Sequence, residues 1–139
     1  MNQQKKPQIA VRAFITNSKG EILIIRRTNT AYGNGLWNLP GGKIDFGDTA
    51  EESVKKEIFE ETSLNCFSSK FLFYMDNLPD ETTDLHFVAL FFECKCTGDI
   101  KTNRESSDFN WINKENLNRF QFAFGNDLAI KKFNKLKEF

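Results

Sequence analysis

The stretch that decides the fold runs from Gly41 to Leu64, GGKIDFGDTAEESVKKEIFEETSL. Its second half, Thr49 to Thr62, reads as a helix. Thr49 with Glu52 fits a capping box, and Asp48 adds negative charge at the positive helix end. Ala50, Val54 and Ile58 recur every four residues and form the stripe that must be buried. Three carboxylates stand on the same helix, at Glu57, Glu60 and Glu61. Spacings of i, i+3 and i+4 put them on one face, roughly 5–6 Å apart at Cβ. At about 100° per residue, Glu57 and Glu61 fall within roughly 60° of Val54. They therefore border the buried stripe instead of facing open water. Like charges so placed repel unless a cation neutralises them. Hard oxygen ligands without a nearby His or Cys favour Mg²⁺ or Mn²⁺ over zinc. Glu51, Glu52, Lys55 and Lys56 read as ordinary solubilising charges. Before the helix, Pro40-Gly41-Gly42 leads into a loop with Gly47. Glycines let a ligand approach the backbone, and a helix N-terminus favours anions.

Upstream, Ile9 to Thr16 is rich in branched residues and alternates, so it reads as a strand. Asn17-Ser18-Lys19-Gly20 signals a turn. Glu21 to Arg27 reads as a second strand, paired to the first as a hairpin. Thr28 to Gly35 is a polar loop, and Leu36 to Leu39 is a short apolar piece stopped by Pro40. Downstream, Lys70 to Asp76, Leu85 to Lys95 and Phe109 to Ile112 are strand-like, with a turn at Leu78 to Glu81. Gly125-Asn126-Asp127 opens a last helix whose apolar residues are Leu128, Ile130, Phe133 and Leu136. Strands on both sides of a central helix, with a second helix closing the chain, predict an α/β fold with a mixed sheet between helical layers.

The bulk composition agrees with a single domain over residues 1–139. Hydrophobic residues make up 40% and charged residues 27%, a globular balance. Lys+Arg and Asp+Glu number 19 each, so nothing marks a nucleic-acid-coating surface. Met1 to Pro7 lacks the apolar core of a signal peptide, and the apolar runs are too short to span a bilayer. Cys66, Cys94 and Cys96 form neither a disulfide framework nor a zinc-ribbon spacing. A cytoplasmic location is the expectation.

The segment from Gly42 onward resembles the Nudix box, G-x5-E-x7-R-E-U-x-E-E-x-G-U, where U is aliphatic. Gly42, Glu57, Ile58, Glu60, Glu61 and Leu64 match in register. Asp48, Lys56 and Ser63 depart from the expected Glu, Arg and Gly. Asp48 and Lys56 keep the charge, although Lys56 lacks the fork that grips a carboxylate in two places. Ser63 must end the helix by a cap other than glycine's. The resemblance implies a Nudix-type α/β/α sandwich that hydrolyses a diphosphate bond with Mg²⁺ or Mn²⁺. It implies Glu57, Glu60 and Glu61 as metal ligands, with Gly42 beside them and Glu57 also able to orient the attacking water. A further carboxylate comes from Glu105, six residues before Trp111 as in MutT-like members, or from Asp108.

The likeness to MutT-type members reaches beyond the box. Arg26 then aligns with a substrate-contacting arginine, Gly41 and Gly42 with the substrate loop, and Asn126 with an asparagine that reads a purine edge. Read without the resemblance, Arg26 is a strand-end charge and Asn126 a helix cap. Trp37, Phe120, Phe122 and Phe124 either stack on a base or fill the core, and His86 packs in its strand. The implied partner is a small nucleotide, with no nucleic-acid polymer, no membrane and a homodimer common in the family. The implied substrate is a nucleoside triphosphate, cleaved to the monophosphate and pyrophosphate. ADP-ribose or another nucleotide sugar, and a nucleotide-sensing module without catalysis, are the alternatives. Prenyl diphosphate isomerases would bring Cys and Glu motifs that are not identified here.

Overall fold

The computed structural model describes residues 5–30, 32–103 and 105–138. Of the stretch Met1 to Pro7, which lacks the apolar core of a signal peptide, residues 1–4 lie outside the described residues. Seven strands and two helices follow in the order β1 (Gln8–Ile15), β2 (Ile22–Arg27), β3 (Trp37–Asn38), β4 (Gly41–Lys43), α1 (Ala50–Thr62), β5 (Asn65–Asn77), β6 (Phe87–Thr97), β7 (Ser106–Ile112) and α2 (Asn126–Leu136). A 3₁₀ turn at Leu117–Arg119 precedes α2.

Two sheets form, ordered β4-β1-β6-β5 and β3-β2-β7. The first is mixed: β1 runs parallel to β6 and antiparallel to β4. The expected hairpin between the first two strands is not what forms. The turn is real, with Gly20 N–H donating to the Asn17 carbonyl at 2.9 Å. Yet among the described residues the strand pairing between the arms is one isolated bridge, Thr16 to Ile22. Beyond it β1 pairs with β4 and β6, while β2 pairs with β3 and β7. The reason lies in burial. Both strands are apolar on both faces for most of their length, as for strands covered on each side. Each sits centrally in its own sheet and fills both of its edges with other strands.

Two cores flank the sheets. Val54 and Ile58 of α1 pack on Val11, Ala13, Leu23 and Phe92. On the other side, Ala129, Ile130 and Phe133 of α2 pack on Phe14, Ile24 and Phe91, with the Phe14 and Phe133 rings stacked at 4.2 Å. This is the α/β/α sandwich expected. The stripe of α2 differs from the expectation, since Leu128 and Leu136 face solvent and Ala129 takes the inner position.

Helix α1 is capped as its sequence prescribes. Thr49 Oγ1 accepts from Glu52 N at 3.1 Å, and Glu52 Oε2 accepts from Thr49 N at 3.1 Å. Its far end corrects the expectation for Ser63. Ser63 adopts the left-handed conformation itself, with φ 66°, and its N–H donates to the Phe59 carbonyl. The side chain helps hold it there by donating from Oγ to the Lys101 carbonyl at 3.3 Å.

Candidate active site

A cleft of about 410 Å³ opens where β1, β2, β4, α1 and the chain entering β7 meet. One wall is acidic. α1 presents Glu57 and Glu61 to the cleft, and Glu61 is only 9% exposed. Gly41 N–H donates to Glu61 Oε1 at 3.1 Å. A Cβ at Gly42 would stand 2.7 Å from Cδ and 2.8 Å from Oε2 of Glu57. The glycine pair therefore makes the space in which the helix carboxylates sit. Burial pushes the Glu57 carboxyl up from its ordinary value, opposed by its hydrogen bond with Glu61. Burial pushes Glu61 up much further, opposed chiefly by the charge of Arg12. A hydrogen bond between two carboxyl groups needs a proton, because both ionised would repel.

The cleft lining is also basic. Arg12, at 8% exposure, donates from Nη1 to the Leu39 carbonyl at 3.1 Å. In the amide orientation that satisfies both of its ends, Asn38 accepts from Arg12 and Arg27 at 3.1 Å each and donates to the Ile25 carbonyl. Arg27 also donates from Nε to the Tyr32 carbonyl at 3.0 Å. Its guanidinium lies 4.9 Å from the centre of the Phe124 ring, within cation–π range. Burial lowers the pKa of both arginines, opposed by Glu61 in each case. Guanidinium nevertheless stays charged in proteins, so two fixed cations share the cleft with the buried Glu61 and the half-buried Glu57.

The residues expected at the site do not all meet there. Glu57, Glu61, Gly41, Gly42 and Glu105 line the cleft. Glu105 is exposed, and its backbone is pinned by Thr28 N–H at 2.8 Å and by Asn103 Oδ1. Glu60 is exposed on α1 and does not line the cleft. Among the described residues, no three carboxylate, His or Cys groups close into a metal cage. Asp108 is exposed, bonds to the backbone of Phe109 and also stays outside the cleft. Arg26 is exposed and donates to the Gly35 carbonyl at 3.2 Å, while its neighbour Arg27 points inward. Alternation along β2 sets this, since Ile25 and Arg27 line the cleft and Arg26 between them does not. Asn126 is 1% exposed, accepts from Leu39 N at 3.2 Å and donates to the Ala123 carbonyl at 2.8 Å. Its side chain does not cap α2, whose N-cap is Gly125. Trp37, Phe120 and Phe122 pack on the core, and Phe124 alone of that group reaches the cleft.

Lys56 does not reach for Glu57. It pairs with Asp45 at 2.9 Å and with Asp48 at 3.6 Å, so two departures from the box pattern neutralise each other beside the loop. The arginines were the residues missed. Arg12 is the one charge inside the apolar run Ile9 to Ile15, and a lone charge in a strand buried on both faces is the signal that marks it.

The donor set suits a hard divalent cation. Mg²⁺ binds through one or two carboxylates plus substrate phosphates in place of an all-protein cage. Glu57 and Glu61, both lining the cleft, are that kind of incomplete oxygen set.

The profile of the NUDIX domain matches residues 6–133. The 8-oxo-dGTP diphosphatase of Escherichia coli K12 is 30% identical over 132 residues, covering 95% of this chain and 99% of that protein. An ADP-ribose pyrophosphatase of Methanocaldococcus jannaschii is 30% identical over 132 residues, covering 94% of this chain and 75% of that one. The crystal structure of a MutT protein from Methanosarcina mazei Go1 superposes with a TM-score of 0.84 at 26% identity, covering 99% and 100% of the two chains.

Proposed function

This chain belongs to the Nudix family of pyrophosphohydrolases, and from that premise we propose that its substrate is a nucleoside triphosphate, cleaved to the monophosphate and pyrophosphate. The observation that carries the reading is the gathering of Glu57 and buried Glu61 with Arg12 and Arg27 in the lining of one cleft. Lys43 lines the same cleft, so three cations gather where a chain of phosphates would lie. A triphosphate concentrates its charge at one end and fits that clustering. End-to-end similarity to an enzyme named for 8-oxo-dGTP supports the same reading.

Water adds to one phosphorus, the bridging P–O bond breaks, and the leaving phosphate oxygen carries away the electron pair. Held by Glu57 and Glu61, with Glu60 adding charge from the rim, Mg²⁺ or Mn²⁺ would neutralise the diphosphate and its leaving group. Gly42 gives the Glu57 carboxylate its place. Arg27 binds the phosphate chain and Arg12 holds the field that keeps Glu61 usable. Glu105 lines the cleft from the chain entering β7 and is placed to orient the attacking water. Asn126 positions the glycine turn from behind by tying Leu39 to Ala123.

The test is a product assay with Mg²⁺ on nucleoside triphosphates and ADP-ribose. Pyrophosphate release from a triphosphate is expected, with Glu61→Gln lowering kcat by at least ~10²-fold and leaving the melting temperature in place. Turnover of ADP-ribose alone would replace the triphosphate by a nucleotide sugar. Wild-type rates in both Glu57→Gln and Glu61→Gln would remove the carboxylates from the reaction.

A further inference from the structure

A second cavity of about 410 Å³ adjoins the phosphate cleft, and the two share Tyr32, Leu85, Phe87 and Phe124 along their common wall. Their chemistry differs. Arg12, Arg27 and Lys43 line the first, whereas no Arg or Lys is among the described residues lining the second. The one carboxylate there, Asp80, is occupied by its own loop. It accepts from Thr82 N at 2.8 Å, Thr82 Oγ1 at 2.6 Å and Thr83 N at 3.2 Å. A substrate with an anionic and an uncharged end is thereby oriented. Phosphates are drawn to the arginines, and Asp80 repels them from the second cavity. A volume of this size is within the range of small-molecule sites, about 300–1,000 Å³.

Asn77 stands at the junction. It is the last residue of β5 and lies opposite Phe87 in the β5–β6 ladder, so the two side chains share a face. It lines the second cavity and also a narrow seam of about 20 Å³ bordered by Arg12, Phe124 and Asn126. A Cβ on Gly125 would meet Asn77 Oδ1 at 3.3 Å, so the glycine leaves that oxygen room. Asn77 is half-buried, and among the described residues no protein group is hydrogen-bonded to its amide. Asn126, by contrast, has its oxygen on Leu39 N and its nitrogen on the Ala123 carbonyl. An amide so engaged has little left to offer a ligand, while the neighbouring one is free.

We propose that Asn77 is the residue that reads the edge of the substrate's nucleobase, with Phe87 and Phe124 framing the ring in the second cavity. This rests on the nucleotide reading of the cleft. A side-chain amide carries an acceptor and two donors, which complements a base edge that presents a donor beside an acceptor. Aspartate at the same place offers acceptors only, so the exchange changes which edges pair without changing the shape.

The experiment measures binding of the four common nucleoside 5′-monophosphates by calorimetry, in wild type, Asn77→Ala, Asn77→Ser and Asn77→Asp. Binding does not depend on turnover. Asn77→Ala and Asn77→Ser are expected to weaken the preferred monophosphate about 3- to 10-fold, the worth of one neutral hydrogen bond. Asn77→Asp is expected to reorder the four, keeping bases whose edge presents two donors and losing those that present an acceptor. Inorganic tripolyphosphate, which has no base, is expected to inhibit wild type and Asn77→Ala equally. Wild-type affinities and order in all the folded variants would overturn the assignment. A wild-type enzyme that cleaves no triphosphate would instead sink the triphosphate reading, and the binding series would still decide Asn77.

Discussion

Gly42→Ala separates the geometry of the Glu57 carboxylate, to which we assign a catalytic role, from the stability of the fold. Gly42 is not among the glycines in the left-handed region, so alanine is compatible with its backbone. The three heavy atoms nearest the new Cβ are all from the Glu57 carboxylate, at 2.7, 2.8 and 2.9 Å. Non-bonded carbons settle near 3.5–4.0 Å, so the carboxylate must retreat by about 0.8 Å. A misplacement of about 1 Å costs ~10²-fold in rate, or roughly 2.7 kcal/mol of barrier. Stability moves little, because two small effects oppose. Replacing glycine at a compatible site stabilises by about 0.4–1 kcal/mol, and pushing Glu57 off its rotamer costs about 0.5–1.5 kcal/mol. Gly41→Ala is the contrasting case. There the Cβ would meet the Val11 carbonyl oxygen at 1.9 Å and Arg12 Cα at 2.9 Å. Both are backbone atoms, so β4 must part from β1, at a cost of about 3 kcal/mol or more. The assay is steady-state pyrophosphate release beside thermal melting and Mg²⁺ titration. Gly42→Ala should melt within a few degrees of wild type with kcat down ~10²-fold, and Gly41→Ala should melt clearly lower. Full activity in a folded Gly42→Ala would refute the claim that this glycine reserves the place of Glu57.

Three further outcomes are expected. Arg27→Ala should raise KM for a triphosphate by ~10-fold or more while the fold survives, since Arg27 lines the cleft from the end of β2; kinetics with the melting curve decide this. Arg12→Met should instead destabilise, by about 3–5 kcal/mol, because it leaves Glu61 buried without its counter-charge; denaturant unfolding reads this directly, and an unchanged midpoint would contradict it. The raised Glu61 carboxyl sets a pH dependence with a definite sign. Below its folded value the proton is held, so Mg²⁺ must displace it, and Mg²⁺ affinity should climb with pH through that range with protons released on binding. The same shift stabilises the metal-free chain below the unfolded glutamate value, near 4.3, and that stability is lost as pH rises through the folded value. Calorimetry in two buffers of different ionisation enthalpy, with Glu61→Gln as the flat control, tests both parts.

Much of helix α1 was legible because its signals are local. Thr49 and Glu52 cap each other across three residues, Val54 and Ile58 repeat with the helical period, and Glu57 and Glu61 border that stripe by arithmetic on one element. Helix geometry is set by bonds within the segment, so spacing alone places those side chains. The mixed sheet between two helical layers was legible for the same reason, from the order and period of the elements. Pairing was not. A turn at Asn17–Gly20 suggests a hairpin, yet β1 and β2 part into two sheets because strands buried on both faces need partners that the local sequence does not name. Alternation along β2 separates Arg26 from Arg27, but which of the two faces meets the cleft depended on how β2 packs against the other elements. The basic wall made by Arg12, Asn38 and Arg27 joins residues from three strands. Composition and spacing determined that this chain carries a carboxylate helix on an α/β frame. Only the packing of both sheets decided what that helix faces, because a charge is given its meaning by groups distant in the chain and close in space.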